Sequence, residues 1–298
     1  MKELNLQDIL DNTSELKEKK VWYVAIIGRP NAWKSTFVNA LIWEKISITT
    51  NVPQTTRNKI LAIFNDEESQ IVFFDTPGIH KSTKAFNEEI NNQAISSLKD
   101  AEMILYFIDS TREWGEEENY VKEIISKANA PVIRIYTKCD LPAKITIPSG
   151  DNVFKISSVT QEGFDPLIAK IKENLQTGPA FFPDDYYTKQ DIYFRISEII
   201  REKVFLHTKE EIPHATFIWV DELEDKPEIL RIVAYVYAES DSQKYVLIWK
   251  NWALVTKIGT LARKELEKVF DKKVFLALRV KIKKNWRKDD KFTKHMLQ

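Results

Sequence analysis

The sequence predicts an α/β fold in which a doubly wound, mostly parallel sheet is followed by a smaller α+β domain. Two observations predict it. Between Tyr23 and Leu175, apolar runs typical of buried strands alternate with amphipathic helical segments, as in parallel sheets covered on both faces. A Pro-containing break at 176–188 then separates this pattern from a different order of elements. We expect an N-terminal arm at 1–20, a first domain at 21–178, a linker at 179–190 and a second domain at 191–298.

Each element has its own signal. Runs rich in β-branched and aromatic residues predict the strands, and segments with helical periodicity predict the helices. In the first domain we expect strands at 23–27, 59–64, 69–74, 103–109, 132–136 and 153–156, and helices at 37–42, 85–98, 116–128 and 164–175. In the second domain we expect a helix at 191–206, strands at 215–221 and 229–238, a helix at 253–270 and a strand at 274–282.

Composition and charge narrow the class of protein. The 298 residues are 43% hydrophobic and 30% charged, and no apolar run approaches the ~18 residues of a membrane span. The single cysteine, Cys139, excludes a disulfide framework and fits a reducing cytoplasm. The formal net charge is zero, but residues 244–298 hold 16 Lys and Arg against 5 Asp and Glu. A basic C-terminal part indicates a polyanionic partner.

The segment after the first strand has most features of a phosphate-binding loop. The motif G-x-x-x-x-G-K-[ST] joins a strand to a helix so that backbone N–H groups and the helix N-terminus cradle phosphates. Here it reads Gly28-Arg29-Pro30-Asn31-Ala32-Trp33-Lys34-Ser35-Thr36. We expect Lys34 to reach the β- and γ-phosphate oxygens and Ser35 to ligate Mg²⁺. Trp33 stands where the motif requires glycine.

Two further motifs follow predicted strands, at the edge of the sheet where ligands bind in such folds. In Asp75-Thr76-Pro77-Gly78, we expect Asp75 to hold the metal, through water, and the Gly78 amide to sense the γ-phosphate. The other motif is Thr137-Lys138-Cys139-Asp140. Its carboxylate can accept two N–H bonds from guanine while the lysine stem covers the base. Adenine has no matching pair of donors, so this motif predicts guanine selectivity.

Residues 22–298 resemble the Era family of GTPases. The resemblance rests on the loop at 28–36 and on Pro53-Gln54-Thr55-Thr56-Arg57, Asp75-Thr76-Pro77-Gly78-Ile79-His80-Lys81 and Ser157-Ser158. It implies a P-loop GTPase fold that binds GTP or GDP with Mg²⁺ and hydrolyses GTP. The implied nucleotide contacts are residues 28–36, 75–79, 137–140 and 157–158.

The same resemblance implies the catalytic and metal residues. The catalytic residues are Lys34, Thr56 and Gly78, and the metal site comprises Ser35, Thr56 and Asp75. Thr55 is the alternative to Thr56. Ile79 stands where many GTPases have a water-orienting glutamine, and isoleucine cannot orient water by a hydrogen bond. We therefore expect slow hydrolysis unless the backbone or a partner positions the water.

The order of elements in the second domain resembles a type-II KH domain, which the Era family carries here. KH domains clamp single-stranded nucleic acid at a GXXG turn between two helices. This turn reads Trp249-Lys250-Asn251-Trp252, and Lys257 and Lys264 follow on the next helix. The basic tail at 281–288 adds charge and one aromatic residue. We expect these residues to bind RNA.

The resemblance also implies the partner and the location. The RNA is small-subunit ribosomal RNA near its 3′ end, and the role is assembly of the small ribosomal subunit in the cytoplasm. Peripheral contact with the inner face of the cell membrane stays open. A rival interpretation is a non-hydrolysing RNA-binding or ribosome-associated scaffold, whose nucleotide site is impaired by Trp33.

Five tryptophans stand where the family has glycine. They are Trp22, Trp33, Trp43, Trp249 and Trp252. The whole chain holds only 7 glycines but 8 tryptophans. A degenerate GTPase, a deliberate variant and a codon artefact are the three explanations. Decay would not target one residue type and spare Lys34, Asp75 and Asp140. We favour a source that reads UGA as glycine, whose gene was translated as if UGA encoded tryptophan.

The coding sequence tests this explanation. We predict TGA at the codons for these five residues, because only UGA, and not UGG, would be read as glycine in such a source. Sequencing the gene, or measuring the mass of the corresponding peptides from the source cells, checks it. TGG at codons 33 and 252 would rule the explanation out.

Overall fold

The chain forms two compact units. The computed structural model describes residues 17–50, 52, 55–82 and 85–288, without the side chains of residues 85, 249–252 and 288. Within this part, the first unit comprises 17–46, 59–81 and 91–189, and the second comprises 47–58, 82–90 and 190–288. Most of the predicted arm, Pro53, Gln54 and the end of the basic tail lie outside the described residues. No described helix is long and apolar enough to cross a membrane.

The first unit is built on a parallel-rich sheet, as predicted. Its strands within the described residues are β1 (Glu18–Gly28), β2 (Ile60–Asn65), β3 (Ser69–Asp75), β4 (Met103–Asp109), β5 (Val132–Thr137), β6 (Val153–Lys155) and β7 (Gln176–Pro179). The order is β2-β3-β1-β4-β5-β6, and β7 also pairs with β1. Strands β2 and β7 run antiparallel to their neighbours, and the remaining pairs are parallel.

Four helices connect these strands: α1 (Lys34–Ile42), α2 (Ala85–Asp100), α3 (Glu116–Ile125) and α4 (Phe164–Asn174). Every residue of β3 and β4 is buried, which explains why their sequences are nearly continuous apolar runs rather than alternating patterns. A core cluster on one side of the sheet includes Ala25, Ile27, Ile104 and Ile108, together with Val121 of α3. This packing places the ends of β1, β3 and β5 at a common edge.

The segment at 176–188, predicted as a break, is ordered along the first unit. Strand β7 pairs with Glu18–Val21 of β1, so β1 begins inside the predicted arm. The fully buried carboxamide of Gln70 then accepts hydrogen bonds from the backbone N–H groups of Phe181 and Phe182, at 2.7 and 2.9 Å. Gln70 is thus one of several polar anchors of this stretch, together with Asn65, whose side chain donates to the Tyr186 carbonyl at 3.0 Å. The domain boundaries proposed from the sequence stay a prediction.

The second unit is an α+β fold. It contains α5 (Ile192–His207), α6 (Ile212–Ala215), β8 (Phe217–Asp225), β9 (Ile229–Ala238), α7 (Asp241–Phe270) and β10 (Lys273–Ile282), followed by a 3-10 turn at Trp286–Lys288. The sheet order is β10-β9-β8, with β10 parallel and β8 antiparallel to β9. Apolar residues of α5 and α7, including Ile200, Ile258 and Leu266, pack with those of the sheet.

The predicted turn at 249–252 is wrong. Helix α7 runs without interruption from Asp241 to Phe270, so it replaces the predicted helix at 253–270 and the turn before it. Tryptophan has an ordinary helix propensity, whereas glycine is less favourable than alanine by about 1 kcal/mol in a helix interior. With tryptophan at positions 249 and 252, the chain has no residue there that would separate two helices.

Trp286 also differs from its predicted role in the basic tail. Its side chain is fully buried in the second unit, and its Nε1 donates a hydrogen bond to the Ala215 carbonyl at 3.0 Å. It contacts the rings of Phe86 and Phe217 edge-on. Trp286 is therefore a core residue of this unit.

Candidate functional site

The loop between β1 and α1 passes close to two neighbouring backbone segments. A Cβ on Gly28 would lie 2.4 Å from the Phe107 carbonyl oxygen, and a Cβ on Gly78 would lie 2.5 Å from the backbone nitrogen of Pro30. Only glycine fits at either position. The Ile79 N–H donates to the Gly28 carbonyl at 3.1 Å. These contacts join the predicted phosphate loop to the Asp75–Gly78 motif.

Lys34, the first residue of α1, is buried inside this loop. Its Nζ donates hydrogen bonds to the carbonyl oxygens of Gly28 and Arg29, at 3.1 and 3.0 Å. Burial lowers the pKa of Lys34 to about 8, although the nearby carboxylates of Asp75 and Glu118 act in the opposite direction. A group with anionic oxygens near this ammonium would favour its charged form.

Ser35 and Asp75 form the pair expected of a Mg²⁺ site. The Ser35 hydroxyl donates to Oδ2 of the buried Asp75 at 2.6 Å. Asp75 ends β3, and the Thr76 hydroxyl next to it donates to the Ile26 carbonyl of β1 at 2.6 Å. Hydroxyl and carboxylate oxygens are the ligands that Mg²⁺ prefers. Among the described residues, no cluster of three or more His, Cys, Asp or Glu offers a self-sufficient metal cage.

The Thr137–Asp140 motif follows β5 at the same edge of the sheet. Lys138 has a left-handed φ of 60°, and its Nζ pairs with the buried Asp109 at the end of β4, at 2.7 Å. Asp140 is exposed. The Cys139 N–H donates to the Ile156 carbonyl at 3.1 Å, which ties the motif to Ser157-Ser158. The hydroxyl of Ser158 is buried and has no hydrogen-bond partner among the described residues.

The indole of Trp33 lies between the phosphate loop and the guanine motif. The Nζ atom of Lys138 is 5.0 Å from the centroid of the Trp33 ring. This contact brings the phosphate loop and the guanine motif close to each other at Trp33. That tryptophan at this position impairs nucleotide binding stays a prediction.

Two tryptophans at family glycine positions have left-handed backbone conformations. Trp33 precedes α1 with φ 60° and ψ 29°, and Trp43 follows it with φ 61° and ψ 17°. A side chain other than glycine costs roughly 1–2 kcal/mol in this region. Trp22 lies in β1, and the side chains of Trp249 and Trp252 lie outside the described residues. The backbone at 33 and 43 thus supports the glycine explanation at these two positions.

Sequence reasoning missed two acidic residues beside the site. Asp109 pairs with Lys138. Because Asp109 ends an apolar strand, as Asp75 does, the sequence could have predicted it as a site residue. Glu118 of α3 is buried and pairs with Nε of the buried Arg29 at 2.9 Å. It also accepts a hydrogen bond from the Tyr106 hydroxyl. Burial, above all, raises the pKa of Glu118. No local sequence pattern marks it.

Ile79 is fully buried in the core cluster of the first unit that also contains Ala25 and Ile27. Its side chain is thus directed into the core, which agrees with the expectation that it does not orient water. Two further residues of the phosphate loop are described. Asn31 has a left-handed φ of 63°, and Ala32 is fully buried.

Thr56 belongs to the segment 47–58, which is part of the second unit. The structure gives this segment several anchors there. The Thr49 N–H donates to Glu202 at 3.1 Å, and the Thr55 carbonyl accepts from Arg201 at 2.6 Å. Thr56 itself is buried. Its place in a Mg²⁺ shell stays a prediction.

The predicted RNA-binding residues lie along α7. Lys257 and Lys264 are exposed, whereas Ile258, Ala262 and Leu266 on the same helix are buried. The backbone of 249–252 is helical, and its side chains lie outside the described residues. The lysines therefore form part of a solvent-facing surface of the helix.

Replacing Lys34 by methionine is expected to change how stability depends on pH. The folded-state pKa of Lys34 is about 8 and its ordinary value is 10.5, so the unfolded state binds more protons between these values. The unaltered chain should therefore gain stability relative to Lys34→Met as the pH rises from about 8 to about 10.5. Thermal unfolding of both proteins without nucleotide gives the difference in Tm. The exposed Lys99→Met is the control, and a pH-independent difference for Lys34→Met would contradict the prediction.

Comparison with known proteins identifies both units. Residues 23–138 match the family described as 50S ribosome-binding GTPase, and residues 211–287 match the KH domain family. GTPase Era of Borreliella afzelii is 42% identical over 288 residues, which cover 93% of this chain and 99% of that protein. GTPase Era of Treponema denticola is 43% identical over 286 residues, covering 91% and 97%.

Solved structures agree with these relatives. Aquifex aeolicus Era bound to GDP and AlF4⁻ has 32% identity and a TM-score of 0.88, over 92% of this chain and 98% of that chain. Era in complex with MgGDPNP and nucleotides 1506–1542 of 16S ribosomal RNA has the same identity and TM-score, over 93% and 98%. The chain belongs to the Era family of GTPases.

Proposed function

We propose that this chain binds GTP and GDP with Mg²⁺, hydrolyses GTP, and binds small-subunit ribosomal RNA during assembly of the small ribosomal subunit. The observation that carries the proposal is the meeting of Lys34, the Ser35–Asp75 pair and Lys138 at one edge of the first sheet. The ligands of the related Era structures, a guanine nucleotide with Mg²⁺ and 16S ribosomal RNA, support it.

In this proposal the phosphates lie over the start of α1. Lys34 exchanges its two carbonyl partners for β- and γ-phosphate oxygens, and the backbone N–H groups of the loop complete the cradle. The Gly78 amide contacts the γ-phosphate, and the close approach of Gly78 to Pro30 sets its distance from the loop. These groups stabilise the charge that develops on the transferred phosphoryl group.

The Ser35 hydroxyl and Asp75 would hold the metal, with Thr56 as the third candidate. Mg²⁺, when bound, neutralises charge between the β- and γ-phosphates. The hydrogen bond between Ser35 and Asp75, at 2.6 Å, already places both oxygens on one side of the loop. Asp75 usually acts on such a metal through water.

Guanine would be read by Asp140, with the stem of Lys138 covering the base. The ion pair with Asp109 holds the Lys138 side chain in place for this contact. The buried, unpartnered hydroxyl of Ser158 would complete the pocket by contacting the base. Because Ile79 is directed into the core, we assign orientation of the attacking water to a backbone group or to a partner.

For RNA, we propose that α7 provides the contact through Lys257, Lys264 and the segment at 249–252. The exposed lysines supply phosphate contacts, which dominate affinity for nucleic acids. We place this activity in the cytoplasm, with peripheral contact at the inner face of the membrane as a secondary location. GTP would order the segments 46–57 and 75–81 and thereby couple the nucleotide state to the KH-type domain.

The second candidate is a non-hydrolysing RNA-binding scaffold, and Trp33 is the observation that favours it. Its ring centroid is 5.0 Å from Lys138 Nζ, and in this candidate function the indole would hinder a nucleotide from reaching both the phosphate loop and Lys138. The two candidates differ in one measurable property, which is the affinity for GDP.

Replacing Trp33 by glycine is expected to strengthen GDP binding by at least ~100-fold, or ~2.7 kcal/mol. The change removes the indole from the site and relieves the left-handed conformation. Trp43→Gly is the matched control, because it relieves the same backbone conformation at an exposed position and should leave GDP affinity unchanged. Calorimetric titration of the three proteins decides. Equal, tight binding by all three would show that Trp33 is harmless, and absence of binding by all three would support the scaffold.

In the Trp33→Gly protein, the affinity for small-subunit ribosomal RNA is expected to depend on the nucleotide. The ordering of segments 46–57 and 75–81 by the γ-phosphate is the physical reason. Fluorescence anisotropy with a labelled RNA of the 3′ region, in GDP and in a non-hydrolysable GTP analogue, measures it. Identical affinities in the two states would refute the coupling.

A further inference from the structure

The second unit contains a cavity of about 440 Å³ that the proposed function does not use. It lies against the start of α5 and along β8, and Arg57, Phe86 and Trp286 complete its wall. None of the α7 and β10 residues whose side chains the structure describes lines it. It is therefore separate from the lysines assigned to RNA binding on α7. Its size is within the range of small-ligand sites, roughly 300–1,000 Å³.

Strand β8 presents an open edge to this cavity. It pairs only with β9 among the described strands, so its other edge has no neighbouring strand. Four consecutive residues, 218–221, line the cavity. The pairing with β9 shifts register between Val220 and Glu222, which makes Asp221 the extra residue of a bulge. Bulges at sheet edges often direct a side chain toward a functional site.

Arg201 lines the cavity and carries a buried donor that is unsatisfied among the described residues. Its side chain is only 4% exposed. Nε and Nη2 donate to Glu198, at 2.6 Å each, and Nη2 also donates to the Thr55 carbonyl. Nη1 has no hydrogen-bond partner among the described residues. A buried donor without a partner is unfavourable, so a ligand with an acceptor atom at this place would be stabilised.

The rest of the wall specifies the ligand further. Aromatic rings of five residues line it: Phe86, Tyr193, Phe194, Trp219 and Trp286. Two arginines, Arg57 and Arg201, face three carboxylates, Asp191, Glu198 and Asp221. This balance disfavours a phosphate or another strong anion, and a purely apolar ligand would leave Arg201 unsatisfied. A neutral, planar ligand with both acceptors and donors fits the wall, and a nucleobase has these properties.

We propose that this cavity binds one unpaired nucleobase of the RNA that the chain holds. The proposal rests on the RNA binding proposed above and adds a second contact to it. The base stacks on the aromatic wall, a carbonyl of the base accepts from Arg201 Nη1, and its N–H groups donate to a carboxylate such as Asp221.

The cavity also adjoins the segment expected to respond to GTP. Arg57 lines the cavity, and its guanidinium donates to the carbonyls of Pro213, His214 and Thr216, at 3.2–3.3 Å. Arg201 donates to the Thr55 carbonyl of the same segment. A base in the cavity would thus contact both arginines that anchor segment 47–58. If the nucleotide state changes this segment, base affinity and nucleotide affinity change reciprocally.

Photocrosslinking and nucleoside titration test the proposal on the full chain. Single-stranded RNA containing 4-thiouridine is irradiated with the protein, and the crosslinked residues are mapped by mass spectrometry. The four ribonucleosides are titrated separately by saturation-transfer NMR. We expect crosslinks at Trp219, Phe86 or Trp286, and binding of at least one nucleoside.

Variants at Trp219 make the test specific. Trp219→Ala should weaken nucleoside binding about tenfold, since stacking contributes this order of magnitude, and Trp219→Phe should largely retain it. Trp114→Ala is the matched control, because Trp114 is 42% exposed, Trp219 is 38% exposed, and Trp114 lies in the first unit. Hydrogen exchange is measured on each variant and on the unaltered chain, and matching protection patterns show that the variant has kept its fold.

The outcomes separate the two proposals. RNA binding with crosslinks only on α7 or β10, and no nucleoside binding, would overturn the cavity assignment and leave the proposed function in place. Absence of RNA binding would overturn both. If a mixture of extended peptides, and no nucleoside, protects the amides of residues 218–221 from exchange, the cavity is a peptide site and the nucleobase proposal is wrong.

Discussion

The buried ammonium of Lys34 is the constraint on which the nucleotide site depends. Two backbone carbonyls of its own loop hold it, and burial lowers its pKa to about 8. Without a phosphate, this group is an electrostatic cost to the folded chain. In the proposed function a phosphate would offset this cost, because an anion close to a desolvated ammonium favours the charged form. The two carbonyl hydrogen bonds offset part of this cost in the structure described here.

The second unit depends on a comparable pair of buried cations. Burial first, and the neighbouring Arg201 second, lower the pKa of Arg57 to about 9, which still leaves the guanidinium charged at neutral pH. Its charge is met by three backbone carbonyls and by the rings of Phe86, Phe205 and Trp286, with centroids 5.7–5.9 Å away. Buried arginines held in this way are costly to displace. They make segment 47–58 an integral part of the unit.

The tryptophans at family glycine positions affect the structure in two different ways. At 33 and 43 the backbone keeps the left-handed conformation that glycine favours, and the indole is accommodated at a cost. At 249 and 252 the backbone changes instead, and one helix replaces two. The difference follows from the surroundings. Gly28, Gly78 and the start of α1 constrain the loop at 28–36, whereas little in the local sequence opposes helix formation between Asp241 and Phe270.

The sequence by itself determined the fold class, the order of nearly all strands and helices, and the edge of the sheet where the site lies. Apolar runs and strand-end motifs are local signals, and they were sufficient to place Lys34, Asp75 and Lys138 at or after the ends of β1, β3 and β5. Tertiary structure decided the rest. The pairing of Glu118 with Arg29, the hydrogen bonds of Gln70 to Phe181 and Phe182, and the burial of Trp286 depend on residues far apart in the chain. Likewise, only folding brings Arg57 to Arg201, because a cavity wall has no periodicity that a sequence can display.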